Sequence, residues 1–318
     1  MDEIDHIALR ERVGDYLYRQ RINIEAYHAA QVIGQGRVIF HPENAPFLRK
    51  AVTIGLKCLG LYGRARANAR AIQIRENHVS LRRLPDSFQG FRLLQLSDLH
   101  LDIDPQITDA LLDRLAKVEY DLCVITGDYR AETFGDFEPA LRETARVVPH
   151  LKPPVYAILG NHDALEMAPR LEAMGLRLLL NEHVAIQRGA DKIFLPGVDD
   201  PHFYETDNLE KALASIPAEA TKILLCHTAE PYRQALASGI DLMLCGHTHG
   251  GQICLPGGYA PMHNAKHPRW LNRGPWRYHA LQGYTTTGVG CSILAVRLFC
   301  PPEIVVHVLH REAPAASH

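Results

Sequence analysis

Asp98-Leu99-His100, Gly127-Asp128, Gly160-Asn161-His162-Asp163, His227 and Gly246-His247-Thr248-His249 gather carboxylates, imidazoles and an amide into five short clusters within 318 residues. These side chains offer hard oxygens and borderline nitrogens and no thiolate, a donor set that suits Mn, Fe or Zn better than a soft-metal site. Asp98, His100, Asp128, Asn161, His227, His247 and His249 make seven candidate ligands. That is too many for one tetrahedral ion and enough for two if one carboxylate bridges. Two divalent ions about 3.5–4 Å apart can clamp the attacking and leaving oxygens of a phosphoryl group. His162 remains as an imidazole able to donate a proton or stabilise a transition state.

Something must bring these clusters together. Each follows a short apolar run, at residues 93–96, 122–125, 155–159, 223–226 and 242–245. Such runs, closed by Gly and polar residues, read as buried strands with polar groups at their carboxyl ends. Open α/β sheets place their active sites along that edge. Asp104 as N-cap and Pro105 at the first turn open a helix through Ile107, Leu111, Leu115 and Val118. Further helices are expected at 137–148, 166–174, 208–215 and 232–237, and strands at 176–180, 184–187, 192–195, 283–287, 293–298 and 304–309. Ile72, Ile74, Val79 and Leu81 suggest an entry strand. Strands flanked by helices fit two packed sheets with helices outside.

In their order, the five clusters resemble the calcineurin-like metallophosphoesterases. Gly246-His247-Thr248-His249-Gly250-Gly251-Gln252-Ile253, Gly197-Val198-Asp199-Asp200-Pro201 and Cys300-Pro301-Pro302-Glu303-Ile304 are similar to bacterial membrane-associated phosphodiesterases, which include UDP-2,3-diacylglucosamine hydrolases. The resemblance covers residues 84–309 and implies a four-layer α/β/β/α sandwich that cleaves a phosphodiester or pyrophosphate with two divalent ions. It implies Asp98, His100 and His249 as ligands of one ion and Asn161, His227 and His247 as ligands of the other, with Asp128 bridging. His162 resembles the catalytic histidine and Asp163 the acid that orients it by a hydrogen bond. The chain departs from the pattern at Cys226-His227-Thr228-Ala229, where relatives carry Ser before the histidine and Pro two residues after it. It departs again at Cys291-Ser292-Ile293-Leu294-Ala295, where relatives carry Gly and Pro.

Residues 1–84 fall outside that pattern. Residues 47–70 read as one amphipathic helix, with Arg49, Lys50, Lys57 and Arg64 on one stripe and Val52, Leu59 and Tyr62 on another, Phe47 and Ile54 beside them. Between Pro46 and Arg83 nine basic residues face one acidic residue, in a chain of net charge −2. A basic amphipathic helix suits an anionic membrane surface, a reading preferred here to a nucleic-acid surface. Residues 2–36 are only weakly periodic and are assigned to no element. With no candidate ligand before residue 84, the extension reads as separable from hydrolysis of a small soluble diester. Seven cysteines with no C-x-x-C, three of them inside expected strands, read as free thiols of a reducing compartment. No signal peptide or spanning stretch stands out. The expected location is cytoplasmic, on the inner face of the membrane when bound. Residues 255–283 read as a long loop in which Arg269, Trp270, Arg273, Trp276 and Arg277 are candidate substrate-binding residues, cations beside aromatics suiting an anionic headgroup with a ring or acyl chain. His183 and His202 read as structural loop residues. A soluble nucleotide or nucleic-acid phosphodiesterase and a non-catalytic metal-binding scaffold are the alternatives.

Overall fold

Short, fully buried strands carry the architecture. The computed structural model describes residues 3–32 and 46–312. The N-terminal extension folds as α1 (Glu3–Val13), α2 (Asp15–Val32), α3 (Pro46–Cys58) and α4 (Tyr62–Ala69). There follow β1 (Gln73–Leu81), β2 (Arg92–Leu96), α5 (Pro105–Leu115), β3 (Leu122–Thr126), α6 (Glu138–Val147), β4 (Val155–Ile158), α7 (Met167–Ala173) and β5 (Leu176–Leu178). The second half holds β6 (Glu182–Arg188), β7 (Asp191–Gly197), α8 (Leu209–Leu213), β8 (Ile223–Leu225), α9 (Tyr232–Ala237) and β9 (Leu242–Cys245), then β10 (Gly274–Tyr278), β11 (Leu281–Thr285) and β12 (Glu303–Arg311).

The strands form two six-stranded mixed sheets, ordered β1-β12-β2-β3-β4-β5 and β10-β11-β9-β8-β7-β6. Alternate residues of each strand point to opposite faces, and the core divides accordingly. Leu93, Val124, Tyr156 and Ile158 of the first sheet pack on Ile223, Leu225, Leu242 and Leu244 of the second. Leu94, Leu96, Cys123, Ile125 and Ala157 face outward onto Ile107, Leu111, Leu141 and Leu171 of the helices α5, α6 and α7. Leu224, Cys226, Met243 and Cys245 face Ala212 of α8 and Tyr232 and Ala235 of α9. The result is the expected four-layer α/β/β/α sandwich. Helix α5 starts where the sequence placed it, Asp104 accepting the Gln106 backbone N–H at 3.1 Å.

Four expectations need correction. Residues 47–70 are two helices, because α3 closes on a Schellman motif. Gly60 takes φ +68°, Leu61 N–H donates to Leu56 O at 2.8 Å and Gly60 N–H to Lys57 O at 3.0 Å. Residues 293–298 are apolar but for Arg297 and form no strand; Leu298 makes only an isolated bridge to Ile253. The Arg297 side chain there is fully buried and turns back to the carbonyls of Thr287 and Gly290, which bends the segment out of a ladder. Residues 255–283 are no plain loop, since β10 pairs antiparallel with β11; Pro275 is tolerated because β10 is an edge strand.

The fourth correction concerns the extension. Leu9, Val13 and Tyr18 belong to the same buried cluster as the outward face of β2–β4, so α1 and α2 are part of the catalytic body's core. Leu56 and Ala65, from α3 and α4, pack on Val296 and Leu298. Among the described residues no helix is long and apolar enough to cross a membrane. All seven cysteines are free, and only Cys58 is exposed.

Candidate metal centre

The carboxyl ends of β2, β3 and β4 in one sheet and of β8 and β9 in the other converge, and the candidate ligands sit in the turns that follow. Asp98, His100, Asp128, His247 and His249 all have φ between 39° and 70°, a left-handed backbone that L-residues other than Gly rarely adopt. The sheets approach so closely that small residues are required. A Cβ on Gly246 would lie 2.2 Å from Asp98 Oδ2, and one on Gly160 would lie 2.2 Å from Asp128 Oδ1.

Three overlapping groups have donor atoms within 4.8 Å of one another: Asp98 with His100 and His249; His100 with Asp128 and His162; Asp128 with His227 and His247. Asn161 Oδ1 completes the third, 3.0 Å from His227 Nε2 and 2.7 Å from His247 Nδ1. Asp128 belongs to two groups, its Oδ2 lying 3.1 Å from His227 Nε2 and 3.6 Å from His100 Nε2.

Hydrogen bonds on the far side of three rings decide which nitrogens face inward. A carbonyl can only accept, so His100 Nδ1–H donates to Arg130 O at 2.6 Å, His227 Nδ1–H to Thr126 O at 2.7 Å and His247 Nε2–H to Asn264 O at 2.6 Å. At His100 and His247 the neutral tautomers this sets leave His100 Nε2 and His247 Nδ1 with lone pairs aimed inward, His247 Nδ1 at Asn161 Oδ1, while His227 Nε2 faces the Asp128 carboxylate. Lone pairs brought nose to nose repel unless a cation lies between them. Asp98 Oδ2 is likewise buried without a hydrogen-bond partner among the described residues. Burial pushes His100 down to about 3 and His162, His247 and His249 well below the ordinary imidazole value, keeping them in the neutral form a metal takes. Burial also pushes the Asp128 carboxyl up, while at His227 burial is outweighed by the charges of Asp128 and Asp98, which raise it. His249 differs from the other three: its Nδ1 faces the Arg297 guanidinium at 3.2 Å. This donor set fits divalent cations.

The family model for calcineurin-like phosphoesterases matches residues 91–251, about half of the chain. The chain belongs to the calcineurin-like phosphoesterase family. It is a metal-dependent phosphoesterase. Phosphodiesterase YaeI of Escherichia coli (strain K12) is 29% identical over 238 residues, covering 70% of this chain and 83% of that protein. The uncharacterized metallophosphoesterase YkuE of Bacillus subtilis (strain 168) is 28% identical over 264 residues, covering 79% and 90%. A transmembrane protein with metallophosphoesterase domain of Danio rerio is 31% identical over 215 residues, covering 61% of this chain and 48% of that protein, so the chain spans about half the length of that relative.

Around the phosphoesterase centre, the remaining sequence candidates are placed unequally. His162 is buried beside it, Nε2 3.9 Å from Asp128 Oδ2, and its Nδ1 has no hydrogen-bond partner among the described residues. Asp163 does not orient that ring. Its carboxylate accepts the backbone N–H groups of Asp128, Tyr129 and Gly160, each at 2.8 Å, so it ties two site loops together. Of the five candidate substrate-binding residues, Arg273 packs against Gly250 and Gly258, beside the turn that carries His249. Trp276 is a core residue whose Nε1–H donates to Thr285 Oγ1 at 3.0 Å, which leaves it no face for a ligand. Arg277 donates to His279 O, and Arg269 to the carbonyls of Ala260 and Pro261, where both brace turns. Trp270 stacks on Tyr278.

The sequence reading missed the groups that hold the ligands in place. Arg130 Nε donates to His162 O at 2.5 Å, and Arg297 holds His249 as described. His202 is more than a structural loop residue, its ring lying 4.3 Å from that of His247 while its Nδ1 bonds Glu230 at 2.7 Å. Each lies outside the motifs, and nothing in its spacing marks it.

Proposed function

We propose that this phosphoesterase is a two-metal hydrolase of a phosphodiester or pyrophosphate carried on a lipid, met at an anionic membrane surface, with UDP-2,3-diacylglucosamine as the most specific candidate. The observation that carries the lipid part is the outer side of α3. Phe47, Ile54 and Leu59 stand 64%, 61% and 71% exposed, and Lys50, Lys57 and Arg64 are exposed around them, while Leu56 packs inward. Apolar side chains ringed by cations suit insertion among acyl chains with basic groups on anionic headgroups. A cleft of about 520 Å³ lies beside this helix, lined by Arg49, Arg66, Arg130 and Ile293 among others. Its floor includes Asp102, Ile103 and Arg130, two or three residues beyond His100 and Asp128. Asp102, Asp104, Glu132 and Asp136 line it as well, with Arg49 paired to Glu132 and Arg66 to Asp104, so the lipid reading rests on the exposed apolar and basic residues and not on the charge of this cleft.

Asp98, His100 and His249 would hold one divalent ion, Asn161, His227 and His247 the other, and Asp128 would bridge them, Mn, Fe or Zn suiting the donors. When bound, such ions supply Lewis-acid polarisation of the phosphoryl group and a nucleophile at neutral pH. The chain's own contribution is positional. The carbonyls of Arg130, Thr126 and Asn264 hold three imidazoles in one tautomer each. His162, neutral and buried, offers an N–H to a phosphoryl or leaving oxygen as charge develops there.

Flotation of the full chain with anionic and with neutral vesicles, beside turnover of vesicle-embedded UDP-2,3-diacylglucosamine and of soluble bis(p-nitrophenyl) phosphate, tests the reading. Binding to anionic vesicles alone, weakened by salt, with turnover of the embedded substrate, is expected. Equal binding to both vesicles or to neither, with cyclic nucleotides turned over instead, would move the substrate into solution.

A further inference from the structure

Arg21, on α2, takes no part in the chemistry above, yet its side chain is fully buried. Its guanidinium spans three partners. Nε donates to Glu25 Oε1 at 3.1 Å, one terminal nitrogen donates to the Asp199 carboxylate, and the other donates to the carbonyl of Asp163 at 2.7 Å. Its plane lies over the Tyr204 ring, 3.8 Å from the centroid. Each partner is itself held. Glu25 Oε1 accepts the Leu165 backbone N–H at 2.9 Å, and Thr206 Oγ1 donates to Asp199 at 2.7 Å. The Asp200 carboxylate accepts the backbone N–H groups of His202, Phe203 and Tyr204, which seats the ring under Arg21. The Gly197–Pro201 motif thus has two functions in the fold: Asp199 is the counter-ion of Arg21, and Asp200 builds its platform.

The loop that Arg21 reaches carries His162. The carbonyl of His162 is taken by Arg130, from the segment after β3, and the next carbonyl, of Asp163, is taken by Arg21, from the extension. The Asp163 carboxylate meanwhile holds the amides of Gly160 and Asp128. Two buried arginines therefore fix successive peptides of the loop. A guanidinium suits this because its planar fork presents N–H groups in separate directions to two carboxylates and a carbonyl, whereas a lysine ammonium offers its three N–H groups from a single point.

We infer that Arg21 is a positioning residue for hydrolysis: α2 locks the His162–Asp163 loop so that the His162 imidazole faces the metal centre. The inference rests on His162 acting as in the proposed function. It also replaces the expectation that residues 1–70 can be removed without loss on a small soluble diester. Misplacement of a reacting group by about 1 Å costs roughly 10²-fold in rate, which sets the scale of the effect.

Arg21→Ala alone would strand the Asp199 carboxylate, so the test is the pair Arg21→Met with Asp199→Asn in the full chain, beside Arg21→Lys. Three readouts are needed: kcat and KM on bis(p-nitrophenyl) phosphate, bound Mn, and hydrogen exchange of the segment 159–166. The expected result is a kcat lowered about 10- to 100-fold with KM and bound Mn unchanged, and faster exchange confined to residues 159–166. A folded pair variant with wild-type kcat and wild-type exchange in that segment overturns the inference. So does a rate loss that tracks lost Mn or faster exchange throughout the chain. Should the pair variant not fold, Arg21→Lys decides: wild-type kcat and exchange overturn the positioning role, and a lowered kcat at unchanged KM supports it. If the wild-type chain hydrolyses no phosphoester, the proposed function fails, and the exchange of residues 159–166 still decides for or against the clamp.

Discussion

Five of the seven candidate ligands stand at positive φ, each a conformation that costs on the order of 1–3 kcal/mol. Such backbone persists only where its surroundings over-determine it, and here they do. Asp98 N–H donates to Gly127 O at 2.9 Å, and Asp98 Oδ1 accepts the His247 N–H at 2.8 Å. Asp128, shared by two ligand groups, should be the residue whose loss is least tolerated. Asp128→Ala is expected to abolish turnover and lower bound metal together, checked by elemental analysis of the purified variant beside a rate assay. In the proposed function His162 belongs to the reacting side rather than the holding side. His162→Ala should lose about 10²–10⁴ in kcat and keep its metal, and a parallel fall in metal content would make it a ligand instead.

At the scale of elements, Asp104 joins two parts of the molecule. It caps α5 and also binds Arg70, on the end of α4, at 2.7 Å, with Arg66 further off at 3.4 Å. Asp104→Ala should cost about 1–2 kcal/mol, mostly through the lost cap, measured as a shift in the denaturant midpoint. Burial pushes its carboxyl up, but the hydrogen bonds from Arg70, the Gln106 N–H and Arg66, with the charge of Arg70, pull it further down, to a net position below the ordinary 3.8. The unfolded chain therefore takes up the proton first. The stabilisation is complete above that ordinary value and is lost as pH falls through the lower folded one, so wild type and variant should converge in acid. Elements of this kind were legible in the sequence where polarity and period agreed: the cap and Pro105 before a regular apolar stripe, and five apolar runs closed by ligands. They were illegible where buried faces are polar. Helix α2 turns Arg21 and Glu25 inward beside Leu17, Tyr18 and Ile22, so its inward face mixes charge with apolar residues and offers no clean stripe to read. Residues 293–298 looked like a strand because a short apolar run does not reveal where the Arg297 guanidinium finds its acceptors.

For the molecule as a whole, the extension shares its core with the sheets. Leu9, 2% exposed, sits in one cluster with Leu94, Leu96 and Ile125. Calorimetry should show one heat transition, and Leu9→Ala should lower it by several degrees without splitting it, at a cost of about 2–5 kcal/mol. Two resolved transitions would mean that α1 and α2 melt separately. The seven candidate ligands were readable as a group because their motifs are local. The clamp was not, because Arg21 and Asp199 are 178 positions apart and meet only through the fold.

The strand order of the first sheet bears on how the chain is made. β12, the last strand in the sequence, lies between β1 and β2, pairing parallel with one and antiparallel with the other. During synthesis β1 and β2 emerge early and must wait for residues 303–311 before either edge is covered. All this time they offer open hydrogen-bonding edges, the commonest template for mispairing with another chain. His227, His247 and His249 also leave the ribosome long after the carboxylates they join. A nascent chain therefore exposes these edges from the synthesis of β2 until that of β12, and a product truncated before residue 303 would carry every candidate ligand and no closed sheet to hold them.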